Sequence, residues 1–213
     1  EFRRVLFRSV FMNNKKGIAI LGSTGSIGTQ ALEVINEYPE LFDLQVITAN
    51  KNADLLIAQA IQFQPNTVVI ADETLYEKVM LALEEHDIHV YTGSQALEQV
   101  VASNDVHTVL TAMVGYAGLK PTLAAIYAKK TIALANKETL VMAGELMTAA
   151  AAKSGAELLP VDSEHNAIHQ CLRAAQRSEV KRLVLTASGG PFRKTPLATM
   201  ASATPEQALA HPN

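Results

Sequence analysis

Asp162, Ser163 and Glu164 set two carboxylates around a hydroxyl just where the apolar run from Ala156 to Val161 ends. Hard oxygen donors at the carboxyl end of a strand suit a divalent cation and a polyhydroxy substrate. The same residues suit a plainer role. Asp and Ser cap helices, and an acid in a first helical turn is favoured by the dipole by a few tenths to ~1 kcal/mol. The tripeptide leaves both readings open.

A second chemical signal lies near the start. Ile18 to Leu21 reads as a buried strand, and Gly22-Ser23-Thr24-Gly25-Ser26-Ile27-Gly28 then passes into a helix carrying Ala31, Leu32 and Ile35. Glycines permit a tight turn and close backbone approach, and the helix start offers free N–H groups to a pyrophosphate. The spacing is G-x-x-G-x-x-G, which departs from G-x-G-x-x-G, but strand, turn and helix follow in the order a dinucleotide site needs. An NAD site places an acid about 20 residues beyond the glycines. Here that position reads Ala49-Asn50-Lys51-Asn52, without a carboxylate, and Lys51 can attract a 2′-phosphate, so NADP(H) is preferred. The alternative is that Asn52 caps the next helix and Lys51 is a solvated charge.

Asn136-Lys137-Glu138 follows another apolar run and stands where a ligand lies in such folds. Lysine there can polarise a carbonyl or bind phosphate; a cap with an early acid is the simpler alternative. Ser188-Gly189-Gly190 can cradle phosphate or merely turn the chain. His165 and His169 have the spacing of a zinc helix, but Asn166 stands where that motif carries its Glu. Cys171 is a candidate nucleophile for an NADP-dependent semialdehyde dehydrogenase, against the commoner fate of a lone buried thiol.

The elements that must position these groups alternate. Candidate strands are Ile18 to Leu21, Leu44 to Thr48, Thr67 to Ala71, His89 to Thr92, Thr108 to Thr111, Thr131 to Leu134, Glu157 to Val161 and Arg182 to Thr186, separated by helical patterns. One such stripe is Leu140, Gly144, Met147 and Ala151. This is the signature of an α/β fold with an open, mostly parallel sheet and helices on both faces. Composition agrees: 213 residues, 48% hydrophobic and 18% charged, suffice for a buried core. A net charge of −3, with no basic block, gives no footprint for nucleic acid or a membrane surface, which leaves small-molecule partners. A single cysteine excludes an internal disulfide, and no apolar run reaches the ~18 residues of a membrane span. Residues 1–11, rich in Arg and Phe, read as a leader foreign to the native chain.

LGSTGSIG at Leu21 to Gly28, LANKE at Leu134 to Glu138, LLPVDSEHNAI at Leu158 to Ile168, SGGPFR at Ser188 to Arg193 and AHPN at Ala210 to Asn213 together resemble the 1-deoxy-D-xylulose 5-phosphate reductoisomerase family. The resemblance implies a Rossmann-like NADPH-binding domain over residues 12–161, then the start of an α+β catalytic domain over 162–213. It implies rearrangement of a ketose phosphate and its NADPH-dependent reduction to 2-C-methyl-D-erythritol 4-phosphate, with Mg2+ or Mn2+ held by Asp162 and Glu164. Thr24, Gly25, Ser26, Ile27, Lys51, Asn52, Asn136 and Glu138 are then the NADPH contacts. Lys137, Ser163, Glu164, Ser188 and His211 are the substrate contacts, and Lys137, Asp162, Glu164 and His211 the catalytic set. A cytoplasmic homodimer is implied, with no nucleic-acid or membrane partner. Asn50 replaces a glycine common in the family, and a third metal-binding Glu is expected beyond Asn213. The chain is therefore expected to be a fragment with little activity alone. A non-catalytic NADP-binding module is the remaining alternative.

Overall fold

The computed structural model describes residues 15–186 and 190–210. Seven strands form one sheet: β1 (Lys16–Leu21), β2 (Phe42–Ala49), β3 (Thr67–Ile70), β4 (His89–Thr92), β5 (Thr108–Thr111), β6 (Thr131–Leu134) and β7 (Leu158–Pro160). Between them run α1 (Ser26–Glu37), α2 (Ala53–Phe63), α3 (Tyr76–Ala82), α4 (Ser94–Val100), α5 (Leu119–Tyr127) and α6 (Lys137–Ser154); α7 (Ser163–Leu172) and α8 (Pro205–Leu209) follow. The strand order is β4-β3-β2-β1-β5-β6-β7, and each neighbouring pair is parallel. The fold is Rossmann-like, as the alternation of the sequence predicts.

Strand periodicity explains the two cores. Ala19 and Leu21 of β1 face a layer built with Leu97, Ile126 and Met147, whereas Ile18 and Ile20 face Leu32, Leu56 and Val79. The sheet thus carries α4 to α6 on one face and α1 to α3 on the other. Burial on both sides is why its strands read as continuous apolar runs. The pairing of β1 with β2 slips between Ile18 and Ala19, whose partners are Leu44 and Val46. This bulge at Gln45 keeps Leu44 and Ile47 in the same core layer although they are three residues apart.

Contacts divide the chain into two compact units, one ending at Asp162 and the other beginning at Ser163. Among the described residues of the second unit none is buried, and none forms a strand. This corrects two sequence expectations. Arg182 to Thr186 is not a strand: its backbone needs a neighbouring strand, and the described part of this unit supplies none. Cys171, expected as a buried thiol, is exposed on α7.

The predicted stripe along α6 also breaks. Ala143 has non-helical angles (φ −142°, ψ 31°), which kinks the helix. Met147 and Ala151 stay in the core, but Leu140 turns outward and Thr139 is buried in its place. Among the described residues no helix is long and apolar enough to cross a membrane.

Thr111, at the carboxyl end of β5, buries its hydroxyl with no hydrogen-bond partner. A buried hydroxyl without a partner is costly, so Thr111→Val should raise unfolding stability by about 1 kcal/mol, read as a higher urea midpoint. A lower midpoint would show that the hydroxyl contributes.

Candidate functional site

The strand order reverses between β1 and β5, which opens a crevice above their carboxyl ends. A cavity of about 520 Å3 lies there, walled by Gly22, Thr24 and Gly25 of the glycine turn, by Asn50 after β2, and by Met113 and Val114 after β5.

Each glycine of the turn has its own reason. Gly22 takes a left-handed φ of 89°, and Gly28 lets α1 close onto the turn, since a Cβ there would strike the Gly22 carbonyl. Gly25 is different. A Cβ on it would meet only the Gly22 carbonyl oxygen, at an ordinary 3.5 Å, so nothing inside the protein demands glycine. It serves as N-cap of α1 without a side-chain cap, and no acid stands in the first turn, so N–H groups are left open to an anion.

The inner side of the turn is saturated. Ser23 is fully buried; its N–H donates to the Thr48 carbonyl (2.9 Å) and its hydroxyl to Gln59 Oε1 (2.7 Å). Gln59 returns a bond from Nε2 to the Ser23 carbonyl (3.0 Å), and the Gly22 N–H donates to Thr48 Oγ1 (2.9 Å). Sequence reasoning passed over Thr48 and Gln59. The available signal was Gln59 itself, an amide on the apolar face of α2 beside Leu56 and Ala60.

The other predicted residues fall into distinct places. Thr24 and Gly25 line the cavity, while Ser26 and Ile27 are exposed in the first turn of α1. Lys51 and Asn52 are exposed but do not line it. Asn52 caps α2, its Oδ1 accepting from Leu55 N–H at 3.3 Å. Lys51 is among the influences on Asp72. Asp72 is held below its ordinary value first by the Thr74 hydroxyl, then by the Thr74 N–H, and more weakly by the Lys51 charge.

Asn136 is 3% exposed and its side chain is fully engaged. Oδ1 accepts from Thr139 N–H (3.2 Å) at the start of α6, and Nδ2 donates to the carbonyls of Met113 and Gly115 (the latter 3.0 Å). It therefore pins the loop that walls the cavity. Glu138 is exposed in the first turn of α6. Lys137 Nζ pairs with Asp162 Oδ2 at 3.1 Å; the lysine is exposed and the aspartate largely covered. Ser163 and Glu164 open α7 in the second unit. Ser188 and His211 lie outside the described residues. Among the described residues no three His, Cys, Asp or Glu gather as a metal-binding group.

Residues 18–144 match the family model of 1-deoxy-D-xylulose 5-phosphate reductoisomerase, and residues 158–213 match that of its C-terminal domain. The chain is 57% identical over 201 residues to the 1-deoxy-D-xylulose 5-phosphate reductoisomerase of Bacteroides thetaiotaomicron, covering 94% of this chain and 52% of that protein. The enzyme of the same name from Nitrosococcus oceani is 48% identical, with 92% and 52% covered. Among solved structures, the Zymomonas mobilis enzyme in complex with NADPH superposes with a TM-score of 0.83 at 44% identity, covering 93% of this chain and 52% of that one. A DOX-P reductoisomerase in complex with NADPH, fosmidomycin and magnesium gives 0.79 at 40% identity, with 93% and 51% covered. The chain spans about half the length of the curated relatives it matches.

Two stability predictions follow from these hydrogen bonds. Gln59→Met keeps the bulk but removes both Gln59 bonds to Ser23, leaving the hydroxyl only its longer bond to the Thr48 carbonyl (3.3 Å), and should cost about 1–3 kcal/mol in urea unfolding. A loss within error would mean the network is dispensable. Asp72 gives an acid-side test, since its lowered pKa contributes stability above the ordinary carboxylate range. Asp72→Ala should be less stable than wild type near neutrality. That difference should vanish as pH falls through the lowered value, and a pH-independent difference would contradict the assignment.

Proposed function

Because the chain belongs to the 1-deoxy-D-xylulose 5-phosphate reductoisomerase family, we propose that it is the NADPH-binding part, with the start of the catalytic part, of such an enzyme. The whole protein then converts 1-deoxy-D-xylulose 5-phosphate to 2-C-methyl-D-erythritol 4-phosphate, by rearrangement to a branched aldehyde and reduction by NADPH, in isoprenoid precursor formation. We place it in the cytoplasm as a homodimer, as the family reading implies, with residues 12–161 as the nucleotide domain and 162–213 as the start of the catalytic domain.

The observation that carries the cofactor reading is the uncapped start of α1 at Gly25, opening onto the cavity over β1 and β5. The residues fit a dinucleotide. The N–H groups of Thr24, Ser26 and Ile27 offer an anion site for the pyrophosphate, the Gly25 N–H being taken by the Gly22 carbonyl (3.2 Å). Val114 is 87% exposed on the cavity wall, apolar surface that a planar ring would cover. Lys51 and Asn52, just past Asn50 on the rim, favour a 2′-phosphate. Asn136 acts through the Met113–Gly115 loop, and Glu138 from the first turn of α6.

The donors at the carboxyl end of β7 fit a hard cation. Asp162 and Glu164, two residues apart in the chain, would hold Mg2+ or Mn2+. Bound there, the cation would act as a Lewis acid toward the ketone and hydroxyl oxygens of the substrate, and NADPH would supply the hydride. Lys137 orients the Asp162 carboxylate through their ion pair and brings a positive charge toward the substrate. Ser163, Ser188 and His211 complete the substrate contacts, with His211 in the catalytic set.

The test is a titration of the chain with NADPH and with NADH, followed by nicotinamide fluorescence. Wild type should saturate with NADPH in preference to NADH. Gly25→Val should lose at least about tenfold in affinity while stability falls by no more than the ~1 kcal/mol of a poorer N-cap, because its Cβ intrudes on the ligand and not on the protein. A folded wild-type chain that binds neither nucleotide would sink the cofactor reading.

A further inference from the structure

The cavity is lined by two charged side chains, Glu98 of α4 and Lys120 of α5. Lys51, the cation that the sequence points to, does not line it. Lys120 stands in the first turn of α5, at the positive end of that helix's dipole, where a cation is disfavoured, and no acid in that turn offsets it. It makes no ion pair among the described residues, unlike Lys137 and Lys78. An exposed lysine placed against its own helix dipole, facing a cavity that begins at an uncapped helix start, adds positive potential that among the lining residues only Glu98 opposes, without an ion pair.

Resting on the NADPH reading above, we infer that Lys120 is an affinity-determining contact of the nucleotide pocket, donating to a phosphoryl group of the dinucleotide, with Glu98 as the opposing charge that moderates it. The phosphoryl group is either the pyrophosphate over the glycine turn or the 2′-phosphate near Asn50. The pyrophosphate is a diphosphate esterified at both ends and the 2′-phosphate is a monoester; a lysine meets either as a point charge.

The experiment measures NADPH and NADH affinity for wild type, Lys120→Gln, Lys120→Arg and Glu98→Gln, each at low and high salt. Lys120→Gln should weaken NADPH binding by about tenfold at low salt, and the gap should narrow as salt rises. Lys120→Arg should recover most of the loss, and Glu98→Gln should tighten binding. A loss confined to NADPH supports the inference and identifies the 2′-phosphate; an equal loss for both nucleotides supports it and identifies the pyrophosphate. Unchanged affinity in Lys120→Gln overturns it, as does a loss that salt does not alter or that Lys120→Arg fails to recover. Wild type that binds neither nucleotide would instead overturn the cofactor reading itself, so the two failures are distinguishable.

Discussion

A backbone turn buried at the end of a strand must satisfy every polar group that faces the protein, and this turn does so on one side only. Ser23 is sealed by Thr48 and Gln59 through its N–H, hydroxyl and carbonyl. The next residues, from Thr24 into α1, meet no side-chain cap. Saturation on the inner side fixes the turn's conformation, and lack of saturation on the outer side leaves the donors aimed at the crevice. A ligand anion then meets donors whose ordering cost has been met by folding, which is the condition for tight binding by so few groups.

The far wall of the crevice depends on a second tie of the same kind. Asn136 sits at the end of β6, takes its N–H to the Thr111 carbonyl, and holds the loop after β5 through the carbonyls of Met113 and Gly115. Gly118 leaves the room for it, because a side chain there would press on the Asn136 amide. One residue thus couples the start of α6, the end of β5 and the cavity wall. Lys137 follows directly, so the geometry that sets the cavity wall also sets the lysine that meets Asp162. A change at Asn136 therefore acts on the cavity wall and, through Lys137, on Asp162 together.

Much of this was legible in the residues. Seven of the eight predicted strands are present: the inner ones, buried on both faces, read as short apolar runs bounded by turn residues, and the edge strand β4 is rich in β-formers. The glycine turn was legible for the same local reason. The eighth strand was not, because Leu183, Val184 and Leu185 carry strand propensity but pairing is a property of the neighbour. The kink at Ala143 was missed because periodicity presumes a straight helix; the available signal was Gly144, the next residue, which weakens a helix interior. Asn136 was found by its position after a strand, but that its amide is used up inside the protein only the hydrogen bonds reveal. Gln59 and Lys120 went unread because each is ordinary in its own helix and becomes informative only from what lies across the crevice.

The rim lysines show why net charge says so little about such a site. The chain carries −3 overall, yet Lys51, Lys120 and Lys137 all follow the carboxyl ends of strands in the first unit. They differ in what answers them. Lys137 has a carboxylate at hydrogen-bonding distance, Lys51 feels Asp72 at longer range, and Lys120 has Glu98 only as a fellow lining residue. A lysine already bonded to a carboxylate must be drawn from it before it can bind an anion, whereas one without a bonded partner loses only water. Pairing therefore grades the three: Lys137 serves best as an orienter of Asp162, and Lys120 has the most to gain from an incoming phosphate. The acid nearest each lysine, more than its place in a motif, decides how readily an anion could recruit it.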